Sequence, residues 1–264
     1  MDSVIRRQFL EDYATIRHAE GRGSADPVYY RELPDRDVSG RNAEQWRIRA
    51  RSFHEFERTI LDDAEWRAGR ELDVLDLGAG NGWMSYRLAL RRHRVVALDM
   101  FRDPLDGLGA LVHYPLRIPA AAADFDSLPF RESAFDLAIY NASFHYSSDY
   151  RRTLTEVRRC LRPGGRFVIM DSPVYERHEH GEMMRAERRA HFERVYGFPS
   201  DALKSVEYLD YPMLEQLSDD LKIDWKYSQP WYGLNWALRP WKAKLLGKRP
   251  PSKFLILVGR FRKR

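Results

Sequence analysis

Two carboxylates and three glycines frame the chemistry this sequence could support. Asp76 sits in the apolar run L-D-V-L-D-L (72–77), Gly78, Gly80 and Gly82 follow in G-A-G-N-G, and Asp99 closes the next run, R-V-V-A-L-D (94–99). Glycines there let a backbone turn sharply and come close to a ligand beside a helix N-terminus. A carboxylate about twenty residues further on can accept both hydrogen bonds of a ribose diol. Together they predict a site for an adenosine-like group. A dinucleotide fingerprint would read G-x-G-x-x-G, because a pyrophosphate wants an uncrowded helix N-terminus. G-A-G-N-G, with an acid two places before its first glycine, suits instead a ligand bearing a sulfonium and an amino group.

A second set lies in Y-N-A-S-F-H-Y (140–146), after the apolar run F-D-L-A-I-Y. His145 is the candidate general base, since its strand ends where ligands bind in such folds and its unperturbed pKa of about 6.5 suits proton transfer. Packing beside Phe144 and Tyr146 is the alternative role. His178, Glu179, His180 and Glu182 match no H-E-x-x-H helix, and alternate residues would fall on opposite sides, so no metal site is expected. Cys160 is the single cysteine and cannot form an intramolecular disulfide. With the charged start M-D-S-V-I-R-R, this points to a reducing, cytoplasmic setting. No run approaches the roughly 20 apolar residues that span a bilayer.

The elements that position these residues follow from periodicity. Apolar runs at 72–77, 94–99, 120–124, 135–140 and 166–171 read as strands, and W-M-S-Y-R-L-A-L-R-R and D-Y-R-R-T-L-T-E-V-R-R-C-L read as helices between them. Asp149 or Ser148 caps the second helix, and P-G-G (163–165) ends it. I-D-W-K-Y-S and F-L-I-L-V-G-R supply two final strands. Strands alternating with helices predict an α/β fold, a doubly wound, mostly parallel sheet of seven strands covered on both faces. Residues 1–70 read as an N-terminal helical cap or lid, with Trp46, Ala50, Phe53, Phe56 and Ile60 on one helical face. The main domain is 71–264, interrupted by a charged helical insertion at 174–214. At 264 residues and 44% hydrophobic, the chain can bury a sizeable core.

With V-L-D-L-G-A-G-N-G (74–82), A-L-D-M (97–100), D-F-D-S-L-P-F (124–130), F-D-L-A-I-Y-N-A-S-F-H-Y (135–146) and L-R-P-G-G-R-F-V-I-M-D (161–171) in order, the chain resembles the class I S-adenosylmethionine-dependent methyltransferases. The closer likeness is to their small-molecule branch, which includes ubiquinone/menaquinone-type enzymes (methyltransferase type 11). The resemblance covers about residues 71–173 by motif and 215–264 by strand order. It implies a Rossmann-like fold and S-adenosyl-L-methionine as cofactor. It implies that Gly78, Ala79 and Gly80 line the methionine end, with Asp76 close by. Asp99 would hold the ribose hydroxyls, Met100 would pack on adenine, and Asp124 with the Phe125 backbone would meet the adenine amino group. Asn141 belongs to the fourth motif and to the same lining. The N-P-P-Y pattern of amino-methylating nucleic-acid enzymes lacks its prolines here. Asp76 could also orient loop amides, and Met100 could be ordinary core. Asp124, closing an Ala-rich buried strand, needs a partner.

The implied activity is in-line methyl transfer to a small, hydrophobic organic acceptor. The alternatives are a nucleic-acid (RNA) methyltransferase, which predicts salt-steep binding, and a non-catalytic pseudoenzyme that binds the cofactor without turnover. Net charge is +5, yet residues 225–264 hold eleven Lys/Arg and no Asp/Glu, leaving the remainder at −6. Trp225, Trp231, Trp236 and Trp241 alternate with Lys226, Arg239, Lys242 and Lys244. This basic, Trp-rich segment is expected either to pack as a helix between the last two strands with its Trp rings closing the site, or to meet a membrane or lipid.

Overall fold

A computed structural model describes residues 3–199 and 201–262. The chain opens with helices α1 (Ser3–Ala19), α2 (Pro27–Glu32), α3 (Ala43–Phe56) and α4 (Asp62–Ala68), the last two joined by a wider helical turn at Glu57–Leu61. Strand β1 (Asp73–Leu77), helix α5 (Trp83–Leu90), strands β2 (Arg94–Leu98), β3 (Ala120–Ala121) and β4 (Phe135–Asn141), helix α6 (Tyr150–Cys160) and strand β5 (Leu161–Met170) follow. Then come β6 (Pro173–Tyr175), α7 (His178–Tyr196), β7 (Leu209–Asp210), α8 (Tyr211–Leu221) and β8 (Ile223–Ser228). Helices α9 (Leu234–Ala237) and α10 (Arg239–Leu245) and strands β9 (Lys253–Phe254) and β10 (Ile256–Phe261) complete the described chain.

Seven strands form the main sheet in the order β3-β2-β1-β4-β5-β10-β8, and β10 runs antiparallel to both neighbours. Strand order reverses between β1 and β4, so a crevice opens at their carboxyl ends. Alternation along the strands assigns the two faces. Val74, Leu137, Ile139 and Val168 pack with Trp46, Phe53, Phe56 and Ile60 of the N-terminal helices. Leu75, Ala138, Tyr140 and Ile169 pack with Leu154 and Val157 of α6 and Leu214 and Leu217 of α8. The N-terminal helices are therefore more than a lid: α3 is one of the layers covering the sheet. Burying Trp46, Phe53 and Phe56 contributes about 1.5–3 kcal/mol each as an upper bound.

Sequence expectations change at three places. The third strand is Ala120–Ala121 alone and lies at the sheet edge with exposed or half-buried residues, so Asp124 is in the loop beyond it. Short alanines at an edge have little to bury, which is why pairing stops after two residues. Helix α6, capped by Asp149 through the Arg152 amide at 3.1 Å, ends at Cys160 rather than at P-G-G. Pro163, Gly164 and Gly165 loop out of β5, whose pairing with β4 shifts between Phe135↔Leu161 and Leu137↔Arg166. The insertion ends at Asp210, because Asp210 caps α8 by accepting from the Met213 amide. It joins the tail through a second sheet, ordered β7-β6-β9.

Candidate functional site

A cavity of about 780 Å³ occupies the crevice, with walls from α1, α3, the ends of β1, β2, β4 and β5, and residues 236–254. Its volume is in the range of small-molecule sites. Of the residues singled out in the sequence, Asp76, Gly78, Ala79, Gly80, Asp99, Met100, Asp124, Phe125, Asn141 and His145 all line it. They come from four separate strand ends, which the fold brings together.

At one end stands the glycine loop. Gly78 takes a left-handed φ of +73°, and an added Cβ there would lie 2.3 Å from Ser143 Cβ. Only glycine lets the loop come this close to the chain leaving β4, where Ser143 Oγ donates to the Leu77 carbonyl at 2.5 Å. The Asp99 carboxylate accepts from the Gly80 amide and the Phe101 amide, both at 2.8 Å. Each oxygen keeps a lone pair for a further donor, which is what a ribose diol offers. Burial raises the Asp99 pKa, and those amide bonds oppose the rise.

Among the described residues, the Asp76 carboxylate bonds to Ser85 of α5 and to no amide of the glycine loop. Its Oδ2 accepts from Ser85 Oγ at 2.6 Å, tying β1 to α5, and burial pushes its pKa up to about 7. Asn141 is buried with its Oδ1 free of any hydrogen-bond partner among the described residues. Asp124, at the edge of the cavity, accepts from the Asp126 amide at 3.2 Å and lies 3.9 Å from Arg6. These are the polar groups an adenosine with an amino-acid tail needs: a diol acceptor, an adenine-amino acceptor and oxygens for an ammonium. The residues present fit S-adenosylmethionine.

The N-terminal cap also roofs the site, through residues the sequence did not single out. Helix α1 lays Phe9, Leu10, Tyr13 and Arg17 along the cavity. Tyr13 meets Phe101 edge-on at 5.0 Å and Tyr146 at 5.8 Å, so α1 bridges the loops after β2 and β4. Arg17 is paired with the buried Asp106. The amphipathic pattern of α1 was the available signal, but it cannot say which loops a helix crosses.

The far end also comes from residues distant in sequence. Asp171, directly after β5, is 6% exposed and holds a left-handed φ of 53°. Ser52 Oγ from α3 donates to Asp171 Oδ1 at 2.5 Å, which leaves Tyr232 OH, 2.8 Å away, as the donor to Ser52. Asp171 Oδ2 has no hydrogen-bond partner among the described residues, and the side chain lines the cavity. Burial raises its pKa to about 6, against the Ser52 bond and the nearby Arg49. Arg49 and Arg239 line the same cavity and form no ion pair with any described residue. Burial lowers the Arg49 pKa to about 10.

His145 Nδ1 lies 3.2 Å from Ser172 Oγ, and the ring packs on Tyr146 at 4.5 Å. Burial, then Arg188 and Arg49, push its pKa down to about 3, so the ring is neutral and weakly basic. Phe144 points away, stacked on Tyr150 at 4.4 Å in the core. His178 and His180, spaced wrongly for a metal in the sequence, bond to Asp210 and Arg177. Among the described residues no three His, Cys, Asp or Glu side chains stand where they could hold an ion.

The tryptophans divide. Trp236 lines the cavity, whereas Trp225 packs on Phe167 in the sheet and Trp231 and Trp241 face outward. The expectation that the Trp rings together close the site therefore holds for Trp236 alone.

Comparison with known proteins bears on this geometry. Residues 75–169 match the family model described as a methyltransferase domain. Over 130 residues the chain is 32% identical to malonyl-[acyl-carrier protein] O-methyltransferase of Erwinia pyrifoliae, covering 49% of this chain and 48% of that protein. Over 97 residues it is 37% identical to an uncharacterized methyltransferase of Mycobacterium tuberculosis, covering 37% of this chain and 38% of that protein. The chain thus spans about half or less of the length of the curated relatives it matches. In fold it is similar to the YcgJ protein of Bacillus subtilis, with a TM-score of 0.53 and 19% identity over 74% of this chain and 93% of that one. It is likewise similar to an S-adenosylmethionine-dependent methyltransferase of Mesorhizobium loti, with a TM-score of 0.51 and 22% identity over 75% and 97% of the two chains.

Proposed function

We propose that residues 75–169, which match the methyltransferase-domain family model, form a class I S-adenosylmethionine-dependent methyltransferase domain, and that the protein transfers a methyl group to a small organic acceptor with an apolar body. One observation carries the reading: a single cavity runs from the glycine loop and Asp99 to Asp171, His145 and Arg49. When bound, S-adenosylmethionine supplies a methyl group on a sulfonium. Asp99 would hold the ribose hydroxyls, Gly78 to Gly80 and Asn141 the methionine end, and Asp124, Phe125 and Met100 the base, all of them lining the cavity.

Phe9, Leu10, Met184, Leu203, Trp236 and Phe254 give the acceptor end its apolar wall. Arg49 suits an acidic group on the acceptor, in keeping with the malonyl substrate named for one relative. Holding an acceptor in line in a dry cavity supplies much of the rate without covalent help. Where the acceptor must lose a proton, Asp171 Oδ2 is the better placed base. A carboxylate titrating near 6 is mostly ionised at neutral pH, whereas His145 near 3 holds a proton weakly.

Mass spectrometry of the ligand released from the purified protein tests the reading. S-adenosylmethionine or S-adenosylhomocysteine is expected. Recovery of NAD or a flavin overturns it.

A further inference from the structure

Residues 231–246 present a face that the fold leaves uncovered. Helices α9 and α10 are separated only by Leu238, and the Leu238 amide donates to the Leu234 carbonyl as the Lys242 amide does to Leu238, so one helical path continues through both. At 3.6 residues per turn, Trp236, Arg239 and Ala243 share one side, and Leu234, Leu238, Trp241 and Leu245 share the other. The first side turns inward. Trp236 packs on Tyr232 at 4.9 Å and Phe254 at 5.3 Å, and Arg239 lines the cavity beside it.

The second side turns outward. Leu234 is 72% exposed, Leu238 47%, Trp241 68% and Leu245 85%, with Trp231 at 65% and Leu246 at 67% alongside. A lone exposed apolar residue needs no explanation, but six on one short segment mark a surface built to be covered. Its charges narrow the partner. Lys242, Lys244 and Lys248 lie within or just after α10 and make no ion pair with any described residue. The whole stretch from 225 to 264 has eleven basic and no acidic residues. A second copy of the same face would set like charges against like. Apolar side chains and lysines on one helical ridge are what the boundary between headgroups and acyl chains accommodates.

We propose that this ridge docks on a bilayer surface rich in anionic lipid, with Trp231, Leu234, Leu238, Trp241 and Leu245 entering the interface and the lysines meeting lipid phosphates. Because Trp236 and Arg239 form the reverse of the ridge, an acceptor dissolved in that bilayer would meet the cavity at this wall. This consequence rests on the methyl-transfer reading, whereas the docking itself does not.

Flotation of the full chain with vesicles of phosphatidylcholine and phosphatidylglycerol tests the proposal. The protein should float with mixed vesicles and at least tenfold less with pure phosphatidylcholine, and binding should fall as salt rises. Trp241→Ser with Leu245→Ser, and separately Lys242→Glu with Lys244→Glu, should each weaken vesicle binding at least tenfold. Both pairs lie outside the cavity, so S-adenosylhomocysteine affinity should stay within threefold of wild type, which also shows that they fold. Absence of binding to the mixed vesicles at low salt overturns the proposal. So does equal binding by folded variants, or a ridge-dependent dimer or protein complex formed in place of vesicle binding. Vesicle binding without adenosyl-ligand binding would leave docking intact and remove only the methyl-transfer reading.

Discussion

Replacing Gly78 with alanine probes the glycine loop where the fold is least forgiving. Holding a non-glycine residue at the left-handed φ of +73° costs about 1–2 kcal/mol. The new methyl carbon would also lie 2.3 Å from Ser143 Cβ and 3.2 Å from Phe125 Cζ, so the chain after β4 must shift. Overpacking of that kind costs about 1–3 kcal/mol. The sum, about 2–5 kcal/mol, lowers the melting temperature of a chain this size by roughly 4–20 °C. Equilibrium urea unfolding would measure it. A cycle with Ser143→Gly separates the two contributions. That change removes the opposing Cβ and leaves the backbone cost, so Gly78→Ala should cost only about 1–2 kcal/mol in that background. Equal costs in both backgrounds, or a Gly78→Ala variant within about 0.5 kcal/mol of wild type, would refute the close approach of the two loops.

Two titrations follow from the far end of the cavity. Asp171, raised to about 6, holds its proton more tightly folded than unfolded, so it makes wild-type stability fall as pH rises from about 4 through 6. Asp171→Asn lacks this dependence and should gain on wild type by up to about 3 kcal/mol across that range; parallel stability profiles would contradict the burial argument. His145, pushed down to about 3, should show no imidazole proton shift in NMR between about pH 5 and 8, its signal assigned by loss in His145→Gln. Its contribution to stability is lost as pH falls from about 6.5 towards 3, and a midpoint near 6.5 in the folded protein would show an open, solvated ring.

Legibility in the sequence followed distance along the chain. The glycine loop and Asp99 are local signals, because a turn and a strand end each need only a few neighbouring residues to be recognised. Strand alternation also revealed the parallel sheet and its two covered faces. Asp124 was placed correctly at the cavity but on the wrong element, since composition could not tell a buried alanine strand from an edge of two residues. The Asp171, Ser52 and Tyr232 chain was invisible, as its members lie 119 and 180 residues apart and only Asp171 falls in a motif, at the end of L-R-P-G-G-R-F-V-I-M-D, where nothing marked it for a role. The tail was half legible: its charge and tryptophan content could be counted, but which rings face the cavity depends on how α9 and α10 seat on Tyr232 and Phe254.

Calorimetric titration of the protein with S-adenosylhomocysteine, beside the Asp99→Asn variant, tests the central claim most directly. Asparagine keeps the shape but turns one carboxylate oxygen into a donor, so it loses a bond to the Gly80 or Phe101 amide and the charge-assisted bonds to the ribose. The prediction is one site per chain in the wild type and an affinity at least tenfold weaker in the folded variant. No saturable binding by the wild type, or unchanged affinity in the variant, would contradict it.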